Sequence, residues 1–239
     1  MTLPRPRRRT APNLPPMLRG EHAPMRERAY REIKRRILDN ELPAGAVVME
    51  QELVDELAIS RTPVREAMLQ LAHEGLVKVR PRRGMFVLPV SPADMREIYE
   101  VLTALESEAA GQIAEHGLAP ADAEALREAV AAMDQALARD DLLAWAVADE
   151  IFHARLIAVC RNRRLADMVR QFWDQVHRAR MLTLKLRPKP VDSNRDHLAL
   201  IEALERGDAE AARAVHREHR VRNGRMLVEL LDSYGLRHV

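Results

Sequence analysis

The order of apolar patterns between residues 25 and 88 constrains this chain more than any other feature of its sequence. Three short helical patterns come first, and the third ends near Gly75. Two short β-type runs, 76–79 and 85–88, follow and are joined by an arginine-rich turn. Three helices followed by a hairpin is the order of a winged helix-turn-helix, so residues 25–90 are predicted to form that domain.

From Ser91 onward the sequence contains no convincing strand pattern. Ser91 and Pro92 suit the cap and the first position of a helix. Helical patterns follow over residues 92–116, 120–138, 141–160, 163–186, 193–206 and 208–232. Aromatic residues are few (three Phe, three Tyr and two Trp), so the cores must consist of smaller apolar residues, which favours helices. The predicted fold class is mainly α, with residues 91–239 forming an all-α antiparallel helical bundle.

Residues 1–24 differ in composition from the rest of the chain. They hold five arginines, six prolines and little that could pack, so they are predicted to be a disordered basic arm. Over residues 1–90, Lys plus Arg exceed Asp plus Glu by six, whereas over residues 91–239 they fall short by four. The basic first part favours a polyanionic partner, and a solvated charged surface is the alternative.

The cysteine content and the lengths of the apolar runs predict the compartment. Cys160 is the single cysteine, which excludes an internal disulfide framework and suits a reducing compartment. No apolar stretch approaches the roughly 20 residues that a membrane span needs, and no apolar run follows the N-terminal arginines as in a signal peptide. The predicted location is cytoplasmic, without a membrane partner.

The segment from Ser60 to Met68 is the main candidate for contact with DNA. It begins a helix with small hydroxyl residues, and Arg61 and Arg65 lie four residues apart, which places both on one face. At a helix N-terminus in the major groove, arginine can form two hydrogen bonds to guanine, while Thr62 and free backbone N–H groups hold phosphates. The predicted partner is a double-stranded DNA operator, and the alternative is a capped surface helix with charged decoration.

The predicted wing carries a second set of candidate DNA contacts. Arg82 and Arg83 stand with Arg80 at the hairpin tip, and Gly84 allows the backbone to approach a groove closely. We therefore expect Arg82, Arg83 and Gly84 to contact DNA together with the helix.

These residues resemble the DNA-binding domain of the GntR family. The resemblance is carried by Tyr30, Pro43-Ala44-Gly45, Leu53, Ser60 to Ala67, Glu74-Gly75-Leu76 and Arg83 to Val87. It implies base and phosphate contacts for Arg61, Thr62 and Arg65, and a minor-groove contact for residues 82–84. Gln51 is a departure, because some family members carry a DNA-contacting arginine at that position.

Four residues of the second region form a candidate metal site. Asp149 and His153 lie four residues apart on a predicted helix, so both side chains project from one face. The last two helices meet at a Gly-Asp turn, with His197 ten residues before it and His219 eleven after it. In an antiparallel hairpin both histidines reach the same height, roughly 15 Å from the turn at about 1.5 Å per residue. The set predicts a divalent metal ion, with Zn, Ni, Fe and Mn as candidates.

A single histidine is more often a surface or core residue than a ligand. His216, His177 and His116 are interpreted as such residues. A shared ion is favoured because His197 and His219 lie at the same height in the predicted hairpin, beside the pair of Asp149 and His153.

The second region resembles the FCD effector domain of the FadR subgroup. The resemblance is carried by Asp149 to His153, Asn162, Leu165, Asp196-His197, Gly207-Asp208 and His219, and with the first it spans roughly residues 25–235. It implies a divalent metal held by the Asp and three His, with a carboxylate effector bound to it. The family often has an effector-binding arginine where Leu102 stands. Arg178 and Arg180 are candidates to replace it, and a solvated face is the alternative.

The sequence thus predicts a homodimeric transcription regulator, not an enzyme, that binds a pseudopalindromic operator and responds to a small organic acid. Two alternatives share its metal site. One is a metal-dependent hydrolase with a DNA-binding appendage, because a metal held by His and Asp also activates water. The other is a regulator that senses the metal itself.

Overall fold

The computed structural model describes residues 24–234, and the predicted basic arm lies almost entirely outside the described residues. The elements in chain order are α1 (Met25–Leu38), β1 (Val47–Val48), α2 (Glu50–Leu57), α3 (Arg61–His73), β2 (Val77–Arg80), β3 (Gly84–Val87), α4 (Pro92–His116), α5 (Pro120–Ala138), α6 (Leu142–Ala158), α7 (Arg163–Thr183), a 3₁₀ turn (Leu184–Leu186), α8 (Val191–Glu205) and α9 (Ala209–Ser233). The mainly α fold class is confirmed, as is the order of three helices, hairpin and helical bundle.

Two helices supply much of the core of the winged helix. On α1, Ala29, Ile33 and Ile37 recur every four residues and are buried. They pack with the buried face of α3, which consists of Val64, Ala67, Met68 and Leu71. Burial of that face fixes the helix and leaves Arg61 and Arg65 exposed.

The wing is a three-stranded antiparallel sheet, one strand more than the predicted hairpin. β3 lies between β1 and β2, with Val47 opposite Phe86. β1 has only two residues, too few for an alternating pattern to be recognised in the sequence. Gly84 has a φ of 78°, and a Cβ there would collide with the backbone oxygen of Val48. A glycine is therefore required where the wing returns against β1.

The helices of the bundle end where the sequence predicted breaks. Four N-cap side chains accept hydrogen bonds of 2.9–3.3 Å from backbone N–H groups of their own helices: Ser91, Asp141, Asn162 and Asp208. Gly117 and Gly207 have φ values of 81° and 68° and follow the ends of α4 and α8. Among the described residues, no helix combines the length and the apolar content that a membrane crossing needs.

Helices α4 and α9 form a long antiparallel pair. Each has 25 residues, and Glu106 on α4 lies against Arg220 on α9. Further along the pair, Gly224 packs on the ring of Tyr99, which a Cβ would strike. The close approach of the two backbones brings polar side chains from both helices into the interior.

Helix α7 belongs to the bundle and also contacts the winged helix. Three contacts join it to the first domain: Asp174 Oδ2 to Lys34 Nζ at 2.6 Å, Gln175 Nε2 to the carbonyl of Glu74 at 3.0 Å, and Arg178 Nη1 to the carbonyl of Leu88 at 2.9 Å. The partners lie on α1, after α3 and after β3, so one helix is tied to three parts of the winged helix.

Candidate functional site

The N-terminus of α3 is an open, basic helix end. Ser60 is the N-cap residue, but its hydroxyl makes no capping hydrogen bond. Arg61, Thr62 and Arg65 are exposed. Within residues 24–234, the side chains of Thr62 and Arg65 have no hydrogen-bond or ion-pair partner. Backbone N–H groups, a hydroxyl and two arginines are thus available to a phosphate or a base edge.

Arg61 differs from Arg65 because Gln51 on α2 holds it. Gln51 Oε1 accepts hydrogen bonds from Arg61 Nη2 at 2.6 Å and Nε at 3.2 Å. Gln51 Nε2 in turn donates to Asp55 Oδ1 at 2.7 Å. The residue that departs from the family pattern therefore orients a DNA-contact candidate.

The tip of the wing presents two of the predicted arginines to solvent. Arg82 and Arg83 are exposed, and Arg82 has a φ of 60°, in the left-handed region. The turn is closed by a 3.0 Å hydrogen bond from Arg83 N to the carbonyl of Arg80. The side chains of Arg82 and Arg83 form no ion pair with any described residue, so their charge is available to DNA.

Three histidines from three helices meet inside the bundle. One ligand nitrogen from each of His153 (α6), His197 (α8) and His219 (α9) lies within 4.8 Å of the others. The ring centroids of His197 and His219 are 4.6 Å apart, and those of His153 and His197 are 5.1 Å apart. All three side chains are buried. The structure thus brings together the three histidines named from the sequence.

Asp149 adjoins this cluster but is also bound to an arginine. Its Oδ1 lies 2.9 Å from His197 Nε2, and its Oδ2 lies 3.8 Å from His153 Nε2. Oδ2 also accepts a hydrogen bond from Arg180 Nη2 of α7. Burial acts to raise the pKa of Asp149, but the charge of Arg180 and the interactions with His153 and His197 together outweigh it, and the pKa lies well below its ordinary value. Asp149 is therefore an ionised carboxylate placed between the histidines and Arg180.

Two of the three histidines, His153 and His219, are held in their neutral form. Burial, followed by the charge of Arg220, lowers the pKa of His153 well below its ordinary value. Burial lowers the pKa of His219 to about 3, although its Nδ1 lies 2.9 Å from Asp196 Oδ2. Neutral imidazole is the form that binds metals, and a carboxylate on one ring nitrogen orients the ring.

A second buried polar group borders the cluster, and the sequence interpretation missed it. Glu106 Oε2 accepts hydrogen bonds from Arg220 Nε at 2.7 Å and from His216 Nε2 at 2.9 Å. Arg220 Nη2 lies 3.3 Å from His153 Nδ1. Burial acts to raise the pKa of Glu106, but the charge of Arg220 and the hydrogen bond from His216 bring it to about 2. His216 was interpreted as an ordinary surface or core residue, and it is instead part of this network.

The two effector-site candidates have different positions. Arg180 lies beside the histidine cluster and donates a hydrogen bond to Asp149. Arg178 is buried and donates to the carbonyl of Leu88, in the segment that joins the two domains. Leu102 is completely buried among apolar side chains of the bundle.

The residues present fit a divalent metal ion. Three imidazoles and one carboxylate form a donor set typical of transition-metal sites. His197 Nδ1 is buried and has no hydrogen-bond partner within the described residues. An unpaired buried nitrogen beside two other imidazoles is consistent with an electrophilic partner.

Two family profiles match this chain. The profile described as "Bacterial regulatory proteins, gntR family" matches residues 25–87. The profile described as "FCD domain" matches residues 97–222, which is more than half of the chain. The first range covers the winged helix, and the second covers every histidine of the cluster.

Two relatives of this chain are described as HTH-type transcriptional regulators. An uncharacterized HTH-type transcriptional regulator in the TAR-I ttuE-ttuC' intergenic region of Agrobacterium vitis is 47% identical over 133 residues, 54% of this chain and 77% of the relative. Another, in an unstable DNA locus of Streptomyces ambofaciens, is 32% identical over 190 residues, 80% of this chain and 79% of the relative. The solved structure of Escherichia coli McbR/YncC matches with a TM-score of 0.72 at 22% identity, covering 87% of this chain and 98% of that one.

Proposed function

Because this chain belongs to the GntR family of bacterial regulatory proteins and is a DNA-binding transcriptional regulator with an FCD domain, we propose that a small organic acid, bound at a metal in the FCD domain, controls its affinity for an operator. The DNA-binding function follows from the family. The effector, the metal and the homodimer are the proposed part.

We propose that α3 reads the major groove and the wing contacts the neighbouring groove. The exposure of Arg65, Arg82 and Arg83, and their lack of partners within the described residues, support this assignment. Two copies of the domain in a homodimer would present two recognition helices, so the operator is expected to be pseudopalindromic.

The proposed metal ligands are Asp149, His153, His197 and His219. A divalent metal bound there supplies a Lewis acid that can hold an oxygen atom of the effector. The protein's own contribution is to keep His153 and His219 neutral by burial and to orient the imidazoles. Asp196 orients His219, and Arg180 neutralises the carboxylate of Asp149.

The observation that carries this proposal is the position of α7 between the two sites. Arg180 of α7 binds Asp149, a proposed metal ligand. Arg178, two residues earlier, binds the segment that follows the wing. A ligand that changes the contact between Asp149 and Arg180 would therefore act on the helix that holds the winged helix in place.

Operator titration with metal-loaded and chelated protein tests the proposal. The operator is first selected from random DNA, and the titration is repeated with a panel of small carboxylates. We expect the carboxylate response to vanish in chelated protein and in His197→Ala, while DNA binding without effector persists. His116→Ala, which changes an exposed histidine outside the cluster, is the control. A response that survives both treatments would contradict the metal-dependent proposal.

The same titration separates the alternative in which the metal itself is the signal. Three buried histidines would also suit a metal sensor. In that case, reversible addition of metal alone would change operator affinity, and no carboxylate would add to the change.

A further inference from the structure

Arg187 follows the 3₁₀ turn after α7 and has hydrogen-bond donors without acceptors. Its Nε and Nη2 atoms are both buried, and within the described part of the chain neither has a hydrogen-bond partner. A buried N–H that has lost water and gained no acceptor is destabilising, and more so on a charged group. Arg178 shows the usual arrangement, because its guanidinium donates to a backbone carbonyl. The described part of the protein therefore supplies no acceptor for these two N–H groups of Arg187.

The charge interactions of Arg187 place it near Arg180 and Asp149, at the proposed effector site. Its charge interacts with that of Arg180 and with the ionisable groups of Tyr99 and Asp149. Arg180 interacts with the same two groups. Burial, followed by the charge of Arg180, lowers the pKa of Arg187. Two guanidinium groups thus lie near one carboxylate, which already accepts a hydrogen bond from Arg180.

The identity of the two unpaired atoms indicates the shape of the missing acceptor. Nε and Nη2 lie on the same edge of the guanidinium plane, and their N–H bonds point in the same direction. A planar carboxylate matches this edge with two parallel hydrogen bonds. We propose that Arg187, together with Arg180, forms an anion site that binds a carboxylate of the effector. The inference rests on the proposed function, because it adds an anchoring residue to the proposed effector site. Arg187 is not one of the proposed metal ligands.

A bound carboxylate would satisfy both donors and offset the excess positive charge. It would also compete with Asp149 for Arg180, which links occupancy of the anion site to α7. Phosphate shares the charge, but it presents a tetrahedral set of oxygens that calls for more donors than one guanidinium edge. Carboxylate is therefore the ligand class that fits.

Anion binding is measured on metal-free protein by thermal shift and calorimetry, with acetate, succinate and inorganic phosphate as probes at constant ionic strength and chloride as the reference anion. Acetate and succinate should raise the melting temperature of the wild type above the chloride reference. Arg187→Met should weaken acetate and succinate binding by about tenfold or more, because the bidentate pair is lost. Arg187→Lys keeps the positive charge but not the two parallel N–H donors, so it should retain only part of the affinity for acetate and succinate.

The matched control is Arg195→Met, on an arginine of α8 whose side chain is 72% exposed. It should bind the probes as the wild type does. Arg187→Met itself should melt no lower than the wild type without ligand, because it removes unpaired buried donors. A substantially lower melting temperature would indicate a structural partner and overturn the proposal. Unchanged carboxylate binding in Arg187→Met would also overturn it, as would a wild type that binds phosphate but not carboxylates.

A parallel metal titration separates this inference from the proposed function. Arg187→Met should bind Zn or Ni as the wild type does, whereas His197→Ala should not. If the wild type binds no metal, the proposed metal-dependent function is wrong. The acetate titrations of metal-free wild type and Arg187→Met still decide the role of Arg187. If the wild type binds metal but acetate binding does not depend on Arg187, only the proposed role of Arg187 is wrong.

Discussion

The winged helix and the helical bundle place their functional charges in opposite environments. In the winged helix, Arg65, Arg82 and Arg83 are exposed and have no partner within the described residues. In the bundle, Glu106 and Asp149 are buried and each is bound by an arginine and by a histidine. A surface that binds a large polyanion needs accessible charge, whereas the burial of Glu106 and Asp149 requires a charged partner for each carboxylate.

The ion pairs of the two domains differ in exposure in the same way. Arg35 on α1 contacts Glu32 and Glu41 on the protein surface, with the three side chains 37–52% exposed. Arg220 and Glu106 in the bundle are at most 6% exposed. Solvent weakens the first kind of pair, so its loss should matter little, while the loss of one partner from the second leaves a buried charge.

The largest expected effect is that of Arg220→Met. It leaves Glu106 buried without its arginine, which should lower the free energy of unfolding by about 3–5 kcal/mol. Arg35→Met, the control in the winged helix, should change it by less than about 1 kcal/mol. Urea unfolding followed by circular dichroism measures both. Similar losses of unfolding free energy in the two variants would show that the exposed and the buried ion pair contribute equally to stability.

Metal removal is expected to have the next largest effect. At a free metal concentration of about 1,000 times Kd, binding stabilises the folded state by about 4 kcal/mol, so a chelator should lower the melting temperature. His197→Ala and His219→Ala should melt at the same temperature with and without chelator, whereas His116→Ala should remain sensitive. His216 is not a suitable control, because it is bonded to Glu106 beside the cluster. Chelator sensitivity in His197→Ala would rule out the proposed ligand set.

In the winged helix, the expected effects are on DNA affinity. Arg65→Ala should weaken binding to the selected operator by about 1–3 kcal/mol and binding to random DNA much less, if Arg65 reads a base. Arg195→Ala in the bundle should leave both affinities unchanged. Equal losses on operator and random DNA would assign Arg65 to phosphate contact.

Acidification should destabilise the metal-free protein through its buried histidines. Burial lowers the pKa of His216 and lowers that of His219 to about 3, from an unfolded value near 6.5. Below pH 6.5 the unfolded state therefore takes up protons that the folded state excludes. The histidine contribution is complete above that pH and is lost as the pH falls toward 3, at about 1.4 kcal/mol per pH unit for each such histidine.

Urea unfolding between pH 7.5 and pH 5 measures this slope. His216→Gln, which keeps a donor for Glu106, should make this slope smaller, by at most one proton. His73→Ala, on an exposed histidine of the winged helix, should not change it. An unchanged slope in His216→Gln would show that His216 titrates alike in the folded and unfolded states.

The smallest expected effect concerns the contact between the domains. Gln175→Ala removes one hydrogen bond to the carbonyl of Glu74, so the coupling free energy between carboxylate and operator should fall by about 1 kcal/mol. Gln171→Ala, at an exposed position of the same helix, is the control. The coupling is the difference between operator affinities with and without carboxylate. An unchanged coupling would place the transmission elsewhere than at this contact.

Local signals were sufficient for the winged helix and for the helix boundaries. The apolar period of α1, the breaks at Gly117 and Gly207 and the glycine of the wing each act within a few residues, and all appear where the sequence predicted them. Strand β1 was missed because its two residues become a strand only by pairing with β3. The helix expected to reach residue 186 ends at Thr183 and continues as a 3₁₀ turn.

The sequence by itself determined which residues could bind DNA and which histidines could share an ion. A helix N-terminus and a hairpin turn expose their own side chains, and two histidines at equal distances from a helical turn lie level by geometry alone. The partners of those residues were decided only by the tertiary structure. Glu106 and Arg220 are 114 residues apart in the chain, and Arg178 and Leu88 are 90 apart. Pairing of buried charges depends on which helices pack together, and no local pattern encodes that packing.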